Sequence, residues 1–180
     1  MDKLKKVISI ISLSLVFFLI YFLQANFFNW FNIAGIKPNL FIILMLVIGL
    51  YMGKKVGLPF ALILGIILDL LSGKIVGISS IMFSLIVILA DVYNKNFSKD
   101  NRMTIIIMVI STTIIYELGK YIYDIFKLSI EIELIPFIKI LVIECIYNTI
   151  LTIICYPIIQ KVGIILEENF KQKNRLTRYF

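Results

Sequence analysis

Six apolar runs follow one another along this chain with only short polar breaks between them, and they decide what it can fold into. They are Val7–Leu23, Leu40–Met52, Val56–Leu71, Ile75–Ala90, Met103–Phe126 and Phe137–Ile159. A helix needs about 20 predominantly apolar residues to cross a bilayer, with a range of about 17–25. The second, third and fourth runs are short by that measure. They must extend into flanking Gly and Pro residues or sit in a locally thin, protein-packed region. The expectation is an all-α, polytopic membrane protein with six transmembrane helices. Composition agrees: the chain is 61% hydrophobic and 16% charged, where soluble domains are about 45–50% apolar and about 25% charged. Residues 1–170 read as one six-span membrane domain and residues 171–180 as a basic cytoplasmic tail. No room is left for a separate soluble domain.

The net charge is +7. The Lys and Arg residues lie in short loops and tails, not on a basic face with aromatic readers, so the expected partner is the lipid bilayer and not nucleic acid. Cytoplasmic loops of membrane proteins carry an excess of Lys and Arg. With the N-terminus inside, the inside segments hold Lys3, Lys5, Lys6, Lys54, Lys55, Lys95, Lys99, Arg102, Lys171, Lys173, Arg175 and Arg178, and the outside segments only Lys37, Lys74 and Lys127. Two basic ends on one side require an even number of spans, which six satisfies. The opening MDKLKK precedes an apolar run longer than the core of a signal peptide, and no A-x-A follows. It reads as a retained first span.

The connecting segments have their own character. Gln24–Pro38 holds Phe27, Phe28, Trp30 and Phe31, which suits an interfacial aromatic belt or a short interfacial helix. Leu128–Leu134 alternates apolar and polar, with Glu131 and Glu133 on one face if extended. Pro157 is expected to kink or end the last span. Beyond it Ile158, Ile159, Val162, Ile165 and Leu166 recur at helical spacing, as in an amphipathic helix lying on the membrane.

Between Gly49 and Gly77 the small residues keep step: Gly49, Gly53, Gly57, Ala61, Gly65, Gly73 and Gly77, with Asp69 in the remaining slot. A step of four traces a ridge along a helix, and deleting its side chains leaves a groove in which another helix lies with backbones close. Gly57, Ala61 and Gly65 therefore mark a packing face, for a partner helix or for one of the chain's own. Gly49 and Gly53 belong to the preceding run, and Gly73 and Gly77 shape the hairpin to the next. Asp69 either caps that hairpin, accepting bonds from backbone N–H groups or from a hydroxyl such as Ser72, or belongs to an interaction site.

Five more charges interrupt the later runs, of which Asp124 and Lys139 lie near the outer ends and can snorkel. Glu117 and Lys120 are spaced to pair on one helical face. Glu144 has no neighbour in sequence to pair with, so it must face protein or water. It either carries function or holds two helices together by a polar contact. No enzyme signature accompanies these groups. Histidine is absent, and there is no G-x-S-x-G, P-loop or metal-ligand cluster. Cys145 and Cys155 would stand about 15 Å apart along one helix, beyond disulfide reach. Neither catalysis nor a metal or cofactor is expected.

Three stretches resemble the MreD family, small polytopic rod shape-determining proteins of bacteria. Pro38-Asn39-Leu40 opens the second span as the family's Pro-Asp/Asn-Leu does. Gly57, Gly65, Asp69, Leu70, Leu71, Ser72, Gly73 and Gly77 match its Gly-rich third span with a D-x-x-S-G-x-x-x-G hairpin. Asn148, Tyr156 and Pro157 resemble its last span. The likeness covers nearly the whole chain, with departures at Ser79, Ser80 and Asp91. It implies a non-enzymatic protein of the bacterial inner membrane that works with MreC, the MreB filament, and RodA with its paired transpeptidase. Together these place side-wall peptidoglycan synthesis.

The family is also similar in architecture to the six-helix substrate-binding subunits of vitamin transporters. Two functions are therefore expected to compete. One is a scaffold of the elongation complex, contacting a bitopic MreC-type partner through helix–helix packing. The other is a transporter subunit in which Asp69, Glu117 or Glu144 reads a vitamin-like molecule. Such subunits often carry an Ala-x-x-x-Ala stripe on the first span. Here that span offers Ser9, Ser12 and Ser14 instead, which favours the scaffold.

Overall fold

A computed structural model describes residues 2–73, 75–97, 101–128 and 133–171. Its elements are α1 (Asp2–Phe22), a π-helical turn (Leu23–Phe27), a single turn α2 (Phe28–Trp30), α3 (Leu40–Met52), α4 (Lys54–Leu71), α5 (Ile78–Asn96), α6 (Arg102–Leu128) and α7 (Leu134–Phe170). The six apolar runs are thus helices α1 and α3–α7. Lys3–Trp30, Ile78–Asn96, Arg102–Lys127 and Leu134–Phe170 are long and apolar enough to cross a membrane. Helix α4 carries Lys54 and Lys55 at its start and Asp69 near its end.

Helix α3 explains how the short second run is accommodated. Its 13 residues, LFIILMLVIGLYM, give a rod of about 20 Å, shorter than the hydrocarbon core of about 30 Å. The sequence has no polar face to turn toward water, and a helix apolar all round belongs inside. Every residue from Phe41 to Met52 is buried, and α1, α4, α5, α6 and α7 all pack on this one helix. An aromatic series crosses the centre from α1 to α6. Phe17 meets Phe41 at 5.1 Å between ring centroids, Phe41 meets Phe83 at 6.1 Å, and Phe83 stacks on Tyr116 at 6.2 Å. Helix α1 is peripheral. It buries Ser9, Leu13 and Phe17 and leaves Leu4, Ile8, Ile11, Leu15 and Leu19 exposed.

Two expectations are corrected at the last helix. Pro157 does not end it, because α7 runs unbroken through Pro157 for 37 residues. The proline lies on the exposed face, so its missing N–H disturbs the side of the helix turned away from the other described helices. Nor is the segment after it a free amphipathic helix. Ile159, Gly163 and Leu166 are buried against the bundle. The Gly163 backbone comes so near the Tyr51 ring that an added Cβ would lie 2.3 Å from it. Asn169 donates to Ser9 on α1 at 2.8 Å, and the Lys171 ammonium donates to the Leu50 carbonyl at 2.7 Å. Ile158, Val162 and Ile165 do face outward. Residues 129–132 of the alternating stretch, Lys74, Lys99 and the tail from residue 172 lie outside the described residues.

The aromatic segment after α1 is helical to Trp30, which is 89% exposed. A tight turn then closes between Ile33 and Ile36, with Ala34 and Gly35 at positive φ.

Candidate functional site

The small-residue face of α4 is filled by the same chain. A Cβ added at Gly65 would lie 2.4 Å from Ser80 Cα and 2.5 Å from Ser80 N, both backbone atoms of α5, and one added at Gly57 would lie 2.8 Å from Val87 Cγ1. Ala61 is fully buried. Gly49 on α3 approaches α5 as closely, with its virtual Cβ 2.5 Å from Ala90 Cβ. Helix α5 therefore occupies the Gly57–Ala61–Gly65 groove, so of the two occupants expected there, a partner helix or one of the chain's own, it is the chain's own. Ser79 and Ser80, noted above as departures, make the approach workable. Ser80 is small where Gly65 meets it, and its hydroxyl donates to the Leu62 carbonyl at 2.9 Å.

The α4–α5 hairpin is held at both ends by carboxylates. Gly77 N–H and Ser79 N–H donate to Asp69 Oδ2 at 2.8 and 3.1 Å. These are donors at the start of α5, where a helix leaves N–H groups unmatched. At the other end Lys54 N–H, the first residue of α4, donates to Asp91 Oδ1 at 3.3 Å, and Lys95 pairs with Asp91 at 2.9 Å. Asp91 was not among the sequence candidates. Gly53, Gly73 and Gly77 bend the connections at φ of +75°, +62° and +116°, values that L side chains rarely adopt. Ser72 follows the end of α4, where its N–H donates to the Leu68 carbonyl.

Helix α7 carries a second row in steps of four, this one polar: Glu144, Asn148, Thr152 and Tyr156, all buried. Asn148 joins three helices. Its Oδ1 accepts the Asn39 N–H at 2.8 Å, at the start of α3, and its Nδ2 donates to Thr113 Oγ1 on α6 at 3.1 Å. Pro38 supplies no N–H, so Asn39 is the donor that opens α3. Thr152 returns its hydroxyl to the Asn148 carbonyl at 2.6 Å. At the opposite end the Arg102 guanidinium lies over the Tyr156 ring, 5.1 Å from its centroid. Glu144, Asn148 and Tyr156 were singled out in the sequence one by one; the four-residue spacing would have added Thr152, and Thr113 gave no sign because its partner Asn148 lies on another helix.

Glu117, Lys120 and Glu144 come together, although not as the expected ion pair. They line one cavity of about 540 Å³ at the end of the bundle where α3 and α7 begin and α4 and α6 end. Among the described residues no salt bridge joins Glu117 to Lys120. Glu117 and Glu144 are each 5% exposed. Asn39 shares the wall with them and Lys37 lines the mouth. Asp69 and Asn148 are taken up by backbone donors nearby and do not join this group. The described residues contain no cluster of His, Cys, Asp and Glu suited to a metal ion.

A family model described as rod shape-determining protein MreD matches residues 5–162. No curated protein and no solved structure matches the chain, so the likeness to transporter subunits finds no support.

Proposed function

The chain belongs to the MreD family of rod shape-determining proteins, and from that premise we propose that it is a non-enzymatic scaffold of the cell-elongation complex. In this reading α1 and α3–α7 all cross the bacterial inner membrane, and both chain ends lie in the cytoplasm. The protein contacts a bitopic MreC-type partner and, through it or directly, MreB, RodA and the transpeptidase of RodA. The observation that carries the reading is the family match over residues 5–162 of the 180-residue chain. Physical support comes from how the interior is used. The close-packing face of α4 and the carboxylates at both ends of the α4–α5 hairpin serve internal order, which suits a rigid block presented to other membrane proteins. A partner helix then has to meet a surface other than the Gly57–Ala61–Gly65 groove.

Two measurements made together test this. The full chain should co-purify with its MreC-type partner in mild detergent, and it should restore rods in a rod-shaped host lacking its own copy. A protein that inserts normally, yet captures no such partner and leaves the cells round, would overturn the reading.

A further inference from the structure

The cavity between α3, α6 and α7 holds polar atoms that the fold leaves unmatched. Glu144 Oε1 and Asn39 Oδ1 are buried and have no hydrogen-bond partner. Both are acceptors, and both belong to residues that line the cavity. Glu144 lies in the middle of a helix at 5% exposure, so it cannot turn to bulk water. Buried polar groups in folded proteins are matched nearly always, and burying a charge without partners is costly. What is missing is a donor.

The rest of the lining narrows the chemistry. A proton shared between Glu117 and Glu144 would relieve the two acids and still leave Asn39 Oδ1 without a donor. A single cation would relieve the floor, but Lys120 and Lys37 also line the cavity, and they balance the two acids. A neutral molecule with separated charges matches both. The acids are buried and Lys37 is exposed, so the cationic end faces inward. Lys120 stands one helical turn from Glu117 toward the end of α6. Lys37 already donates to Asn29 Oδ1, which uses one of the three donors of its ammonium. The volume lies within the ordinary range for small-molecule sites.

We propose that this cavity binds a zwitterion that leads with a primary ammonium. The ammonium donates to Glu144 and Asn39, and an anionic group, a phosphate or phosphodiester, meets Lys120 and Lys37. The phosphoethanolamine headgroup of a lipid, a phosphodiester, is such a neutral zwitterion, and free phosphoethanolamine presents the same ammonium with a more negative phosphate. The inference does not rest on the shape-determining role, because a scaffold without a ligand and a ligand site in a protein of another role would each be seen separately.

The test is the thermal midpoint of the full-length protein in detergent, titrated with phosphoethanolamine and with phosphocholine. Phosphocholine carries the same charges but no N–H. A saturable upward shift is expected with phosphoethanolamine, with affinity at least tenfold weaker for phosphocholine. Glu144→Gln should weaken the phosphoethanolamine response at least tenfold. Should that variant fail to accumulate, Asn39→Ala removes the second acceptor, keeps the backbone N–H bonded to Asn148, and should weaken it likewise. Vesicles of phosphatidylethanolamine and of phosphatidylcholine identify the source. A lipid headgroup predicts stabilisation by the ethanolamine vesicles, with free phosphoethanolamine adding nothing. A free ligand predicts that the soluble compound acts equally in both. No shift with the free compound or the lipid, equal responses to choline and ethanolamine forms, or an unchanged response in the variants would overturn the proposal.

Discussion

Replacing Gly65 by Ala adds one methyl group where α4 meets the backbone of α5. The new carbon would sit 2.4 Å from Ser80 Cα, 2.5 Å from Ser80 N and 2.8 Å from Ser79 C. Carbon atoms in good contact stand about 3.5–4.0 Å apart, so α5 has to retreat by about 1 Å. All three neighbours are backbone, and no change of rotamer relieves the clash. Overpacking of this kind costs about 1–3 kcal/mol. The retreat also stretches the bonds from Gly77 and Ser79 to Asp69, and hydrogen bonds to a charged acceptor contribute about 1.5–3 kcal/mol each. Alanine returns about 1 kcal/mol of helix propensity. The expected net loss is about 2 kcal/mol.

Gly119→Ala is the matched control. Its methyl would meet Met82 Sδ at 2.5 Å and Cε at 2.9 Å, the far end of an adaptable side chain. The propensity gain is the same, so the net change should stay within about 1 kcal/mol. Reversible unfolding of both variants in mixed micelles reads the difference directly. The reasoning is refuted if Gly65→Ala is as stable as the parent, or if Gly119→Ala loses as much.

Asp69→Asn keeps an acceptor for Gly77 and Ser79 and should change stability little, whereas Asp69→Leu leaves buried donors open and should cost about 1–3 kcal/mol in the same unfolding assay. Lys95→Ala should cost about 0–1 kcal/mol, because its ammonium is largely exposed. Asp91→Ala should cost about 1 kcal/mol more, because it also removes the acceptor for Lys54 N–H. Asn148→Leu strips the Asn39 N–H and Thr113 of a partner together and should cost about 1–3 kcal/mol; an unchanged midpoint would show that the three-helix contact is dispensable. For topology, a thiol introduced by Arg175→Cys should be labelled only after permeabilisation, and labelling of intact cells would put the tail outside and break the even span count.

The helices themselves were legible in the sequence because each apolar run is bounded at one end at least by Gly, Pro or Lys. The short second run was expected either to extend into flanking Gly and Pro or to sit in a protein-packed region, and its being apolar on every side is the sign that would have placed α3 at the centre. What a single run cannot state is who stands opposite. The steps of four from Gly57 to Gly65 describe one wall of a groove. The other wall is Ser80 and Val87, which give no sign in their own spacing of where they dock. Of the two effects expected of Pro157, a kink or an end, the end does not occur: the rule that proline breaks a helix is local, and neighbouring packing holds α7 together on both sides of it. The cavity was the least legible. Asn39, Glu117 and Glu144 come from three elements, and only the packing of α6 and α7 around α3 brings them to one wall.

Asp69 and Asp91 show what the small residues are for. Each acid stands near the C-terminal end of its own helix, where a negative charge meets the negative end of the helix dipole and is disfavoured. Considered singly, both are misplaced. Because α4 and α5 run antiparallel, each acid also stands at the start of the other helix, where unmatched N–H groups and the positive dipole end favour it. The acid reaches those N–H groups only if the two backbones come close. Gly57 and Gly65 on α4 and Ser80 on α5 permit that approach, and Gly77, at φ +116°, turns the chain so that its own N–H and that of Ser79 converge on Asp69 Oδ2. The row of small residues and the carboxylate on it therefore answer one requirement, a hairpin tight enough for each helix to cap the other.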